Sequence, residues 1–87
     1  MDIVNLLRNL SQASGISGYE AEVRDIVRQA FEPYADEFRV DTMGNLIATR
    51  RGRAASGASR RSIMLAAHMD EIGLIVKDIK DGYPRVT

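Results

Sequence analysis

The stretch Ile63-Met64-Leu65-Ala66-Ala67-His68-Met69-Asp70-Glu71-Ile72-Gly73 decides how this chain is read. A continuous apolar run delivers the only histidine of the sequence, and two carboxylates follow it at once. Ile63 to Ala67 is expected to be a strand covered on both faces, because such strands read as unbroken apolar runs. If the strand continues, His68 and Asp70 lie two apart and project to one side. That spacing suits a metal-binding histidine, whose second ring nitrogen donates to a carboxylate.

Outward from this stretch, Gly73 to Ile79 is expected to be another strand. Lys80-Asp81-Gly82 reads as a turn, and Tyr83 to Thr87 as the start of a further strand. The chain stops inside that strand pattern, which leads to the expectation that it is a truncated piece of something longer. Upstream, Phe38 and Val40 alternate with Glu37, Arg39 and Asp41. Asp41-Thr42-Met43-Gly44-Asn45 carries turn chemistry, and Leu46 to Thr49 resumes an extended pattern, so 37–49 predicts a hairpin.

Two helices are expected before it. Ile3, Leu6, Leu7 and Leu10 follow the i, i+3, i+4, i+7 rule over residues 2–13, with Asp2 as cap and Gly15 ending the helix in a left-handed conformation. Ser17-Gly18-Tyr19-Glu20 reads as a capping box. Val23, Ile26, Val27, Ala30 and Phe31 then form the stripe of a helix over about 18–31. Pro33 disfavours a helical Glu32 and should close it.

Composition bounds the class. The 87 residues suffice for one small domain, with 45% apolar and 28% charged residues, as in a soluble globular chain. Acids and bases balance at 12 each, which favours neither nucleic acid nor an anionic membrane. The absence of cysteine excludes disulfides and thiolate metal sites. Neither a signal peptide nor an apolar run of spanning length is present, which reads as cytoplasmic. The segment from Arg50 to Arg61 holds five arginines and no acid. It lacks the aromatic or helical support of a phosphate-binding patch and reads as a solvated connection. Gly15 and Gly18 are helix punctuation rather than a phosphate loop, since no strand precedes them.

Four motifs in order carry a resemblance: LLRNLSQASGISGYEAEVR, VDTMGNLIA, IMLAAHMDEIGLIV and IKDGYPRVT. Together they resemble the N-terminal end of the glutamyl/deblocking aminopeptidase family. These are tetrahedral, self-compartmentalising metallo-aminopeptidases, some of which carry the label endoglucanase. The resemblance implies an α/β catalytic domain with a mixed central sheet flanked by helices, of which residues 1–70 form the N-terminal part. It implies that residues 71–87 begin an inserted β-rich dimerisation domain. His68 matches the family's first metal ligand, and Asp70 the carboxylate that supports it. Glu71 sits beside them, and the resemblance assigns it no ligand role; a surface acid and a site residue remain equal readings for it.

The implied activity is removal of N-terminal residues from peptides by water activated between two divalent ions, zinc or cobalt. The remaining ligands, the general-base glutamate and the last histidine match nothing here. The piece alone is therefore expected to be inactive and to bind metal weakly at best. Its partners would be the peptide substrate, the remainder of the polypeptide, and further copies in dimers that build a tetrahedral dodecamer. Two other readings stand beside it. One is a non-catalytic truncated product or interaction module. The other is a glycoside hydrolase, which would need two carboxylates facing a sugar groove.

Overall fold

A computed structural model describes residues 1–53 and 60–87 of the chain. The element order is α1 (Ile3–Gln12), α2 (Ala21–Phe31), β1 (Glu37–Val40), β2 (Leu46–Thr49), β3 (Val76–Lys80) and β4 (Tyr83–Val86). The architecture is mixed: two helices and two separate two-stranded antiparallel sheets.

Asp2 caps α1, its side chain accepting from Asn5 N at 3.1 Å. The helix closes at an extended Ala13, not at a left-handed Gly15; the Ala13 amide donates back to Asn9 O. The expected capping box of α2 forms only in part. Glu20 does reach back, but to the Gly18 amide at 2.9 Å, and it serves as N-cap itself without a side-chain cap bond. A positive φ of 87° at Gly18 turns the chain into that arrangement. Glu32 stays in the right-handed helical region beside Pro33, against expectation. The helix nonetheless ends at Phe31, just before Pro33, which has no amide to donate, and Phe31 O accepts from both Tyr34 N and Ala35 N in a tightened last turn.

Helices α1 and α2 are in contact, and the described core is small: Ala13 at the end of α1 and Val23 of α2 are its buried hydrophobic residues. Arg24 Nη1 then donates to Gly44 O at 3.1 Å, which ties α2 to the first hairpin. Arg28 stands 4.9 Å from the ring centroid of Phe38, a second link of the same kind.

The hairpin expected over 37–49 is present, with Phe38 opposite Ala48 and Val40 opposite Leu46. Its turn is organised by one side chain. Asp41 Oδ1 accepts from Met43 N at 3.0 Å and Asn45 N at 2.9 Å, while Oδ2 accepts from Asn45 Nδ2 at 2.9 Å. Hydrogen bonds from Asn45, side chain first, and from Met43 hold the Asp41 carboxyl below its usual value. A lowered folded pKa means stability that is complete above the unfolded value and lost as pH falls through the folded one. The Asn45 and Gly44 amide signals should therefore stay constant down to about pH 4 and shift together at lower pH; NMR titration in D41N should abolish that step.

The second hairpin also follows expectation, starting later, at Val76. Asp81 (φ 52°) and Gly82 (φ 78°) form a two-residue loop whose left-handed pair matches strand twist. A bulge at Lys77 shifts the register between Val76↔Val86 and Asp78↔Arg85.

The run Ile63 to Ala67 is not a strand. Ile63, Met64 and Leu65 are 88–89% exposed. No segment pairs with them among the described residues, and a strand has no ladder without a partner. For the same reason no mixed central sheet forms among these residues. The one parallel pairing is the isolated bridge between Ile16 and Glu71. The radius of gyration, 18.0 Å, exceeds the about 12 Å of a compact chain of this length. Among the described residues no helix is long and apolar enough to cross a membrane. Of the arginine-rich segment, residues 54–59 lie outside the described residues; Arg51 pairs with Glu37 at 3.2 Å.

Candidate metal centre

His68 and Asp70 meet as their spacing suggests, although not on a strand. His68 Nδ1 lies 3.0 Å from Asp70 Oδ1 and 3.0 Å from the Asp70 carbonyl oxygen. Two acceptors on one nitrogen favour the tautomer with its proton on Nδ1. Nε2 then keeps its lone pair and makes no hydrogen bond among the described residues. The imidazole is 85% exposed and the Asp70 carboxylate 40% exposed, so the pair stands at the surface.

The backbone beneath it is anchored. Glu71 N donates to Gly15 O at 2.8 Å, which docks the α1–α2 turn onto the segment after His68. Ser14 N, in the same turn, donates to Glu22 Oε2 at 3.2 Å. The Glu71 side chain makes no hydrogen bond among the described residues, while its backbone takes part in the anchoring.

Two open clefts flank His68. The larger, of about 520 Å³, is lined by Ile16, Ser17, Asp70, Glu71 and Gly73 together with His68. The smaller, of about 230 Å³, lies against the first hairpin turn and includes Glu20, Met43 and Asn45 beside His68 and Asp70. Glu20, read as a helix cap, thus also borders the site. Its place there depends on the hairpin turn, some 25 residues away in sequence, and no local pattern announces it. The described residues contain no group of three His, Cys, Asp or Glu side chains able to hold a metal ion. What they offer is one oriented imidazole.

The small mixed α/β unit thus presents a histidine whose Nδ1 is paired with the acid two positions on. The model of the M42 glutamyl aminopeptidase family matches residues 44–85, just under half of the chain, and takes in His68 and Asp70. The chain is 43% identical over 83 residues to a lysyl aminopeptidase of Pyrococcus furiosus, covering 93% of this chain and 22% of that protein. It is 31% identical over 87 residues to a glutamyl aminopeptidase of Lactococcus lactis, covering 99% of this chain and 24% of that protein. The resemblance carried by the motifs is thereby shown, and these relatives are peptide hydrolases by name. The chain spans between a fifth and a quarter of their length.

Proposed function

We propose that this chain is the N-terminal part of a cytoplasmic metal-dependent aminopeptidase, in which His68 is the first metal ligand and Asp70 its positioning carboxylate. The observation that supports this reading is the 3.0 Å contact between His68 Nδ1 and Asp70 Oδ1 inside the stretch matched by the M42 family. The donor set fits one ligand of such a site. Nδ1 is occupied by the acid, Nε2 is left to bind, and the exposed ring can be reached. Divalent ions held by the complete subunit would supply Lewis-acid polarisation of the scissile carbonyl and an acidified water.

The chain's own contribution is orientation. Asp70 keeps the proton on Nδ1, fixes the ring plane, and raises the basicity of Nε2 through its charge. The open clefts on either side leave room for the free amino end of a peptide. In the complete subunit, residues 1–70 contribute helices and strand material to a mixed central sheet, and residues 71–87 open an inserted β-rich domain that serves dimerisation. Ile63 to Ala67 find their strand partners there.

Asp70→Asn in that subunit tests the positioning role. An amide keeps the shape but loses the charge, so metal affinity should fall by about 10–100-fold. Equilibrium dialysis against zinc measures this, and an unchanged affinity would sink the assignment of Asp70. A second reading has the chain as a truncated product or interaction module that kept the helices without the chemistry. In that case D70N and wild type would hold equal, negligible zinc in the complete subunit.

A further inference from the structure

The α1–α2 turn is fastened to the segment carrying His68 and Asp70 through backbone groups. Gly15 O accepts from Glu71 N at 2.8 Å, and Ile16 pairs with Glu71 in a parallel bridge. At both crossing points the side chain is missing where one would collide. A Cβ on Gly15 would lie 2.6 Å from Val23 Cγ2 and 3.6 Å from the Met69 carbonyl oxygen. A Cβ on Gly73 would fall on Ile16 Cγ2. Gly15 is buried, wedged between the buried Val23 side chain of α2 and the peptide that joins Met69 to Asp70. Neither glycine has a positive φ, so space rather than backbone conformation excludes a side chain at both.

The structure assigns Gly15 and Gly73 as positioning residues for the His68–Asp70 pair, two close approaches that clamp residues 69–73 onto the α1–α2 turn. The assignment rests on the reading of His68 as a metal ligand. Its physical basis is the way the pair is made. Both acceptors of His68 Nδ1 belong to Asp70, one of them its backbone carbonyl. A displacement of the 69–71 backbone by a few tenths of an ångström therefore lengthens both contacts together and frees the ring to turn. To admit a Cβ at Gly15 the buried Val23 side chain must leave its place or the turn must shift, and at Gly73 the Ile16 side chain or the 71–73 backbone must give way.

The test uses the complete subunit with cobalt as the probe, its affinity read by equilibrium dialysis beside kcat and KM. G15A and G73A should each weaken cobalt binding about tenfold, the lower end expected when a ligand loses its support. Their activity should return in excess cobalt, which a general folding defect would not allow. Trimming the obstructing neighbour should restore affinity, so G15A/V23A and G73A/I16A should bind more tightly than G15A and G73A, with V23A and I16A alone as packing controls. Should G15A fail to assemble, G73A carries the same comparison from the other side.

Unchanged cobalt affinity in G15A and G73A, or a loss that trimming does not relieve, overturns the assignment. H68Q separates this failure from failure of the underlying reading. If H68Q loses cobalt while the glycine variants keep it, the clamp alone is wrong. If H68Q keeps cobalt, the ligand reading falls and the clamp falls with it.

Discussion

Replacing His68 by glutamine in the complete subunit should lower kcat at least ~100-fold and remove one bound metal, while leaving KM for a free-amino peptide nearly unchanged. Glutamine keeps the length and polarity of the side chain, and its amide can still donate to Asp70. It cannot offer the imidazole lone pair that Nε2 presents. The ring is 85% exposed, so its packing contributes little, and exposed substitutions typically shift stability by no more than about 0.5 kcal/mol. Compared as metal-free proteins, H68Q and wild type should accordingly melt within a degree or two of each other, about the size expected for so small a change. A histidine that served only structure would produce the reverse pattern: a lower melting point with activity retained per folded molecule. Metal content, kcat, KM and thermal midpoint measured on one preparation therefore distinguish the two roles. Equal metal and equal kcat in H68Q would end the ligand assignment.

What the sequence made legible divides along the range of the interactions. Both helices and both hairpins follow from residues a few positions apart. Asp2 finds Asn5, Asp41 finds Asn45, and the Asp81-Gly82 loop returns β4 onto β3. The His68–Asp70 contact was legible for the same reason, since the partners lie two positions apart. Its expected setting was not. Ile63 to Ala67 carries the composition of a covered strand, but composition does not supply partners, and among the described residues none pairs with it.

The details that went astray are those where a nearby group competed. The Gly18 amide captured the Glu20 carboxylate. The end of α1 was set by the bond from the Ala13 amide to Asn9 O, so Gly15 was free for a different use, close contact with Val23 and with the backbone at 69–71. That contact joins positions more than fifty residues apart, and no periodicity or spacing points to it. The family resemblance was legible in the four motifs, whereas the proton on Nδ1 is favoured only by the two acceptors the fold sets beside it.

The 87-residue chain by itself should show no peptidase activity, no tight zinc binding and no cooperative thermal transition. A single small domain melts cooperatively when one core couples its elements. Here Ala13 and Val23 are the buried hydrophobic residues, while Ile63, Met64, Leu65, Ile72 and Leu74 remain open to water. The second hairpin is exposed along both strands, and an isolated hairpin is marginal in water. Local pieces can still form: the α1–α2 pair and the first hairpin share the Arg24 and Arg28 links. Hydrogen exchange should then grade along the chain, slowest in α2 and fast from residue 60 to residue 70. Zinc cannot repair this, because one imidazole and its carboxylate fall short of the about three protein ligands that a catalytic zinc takes. Calorimetric titration should detect only weak association, and a scan should show a broad, low transition. Adding the remaining polypeptide in trans is the informative complement. It should protect the amides of residues 63–67 as they gain strand partners, and bring the His68 ring signals into exchange with zinc. A sharp melting peak with strong protection across residues 60–70 in the isolated chain would contradict the expectation, since it would mean that these apolar residues already find cover within the 87.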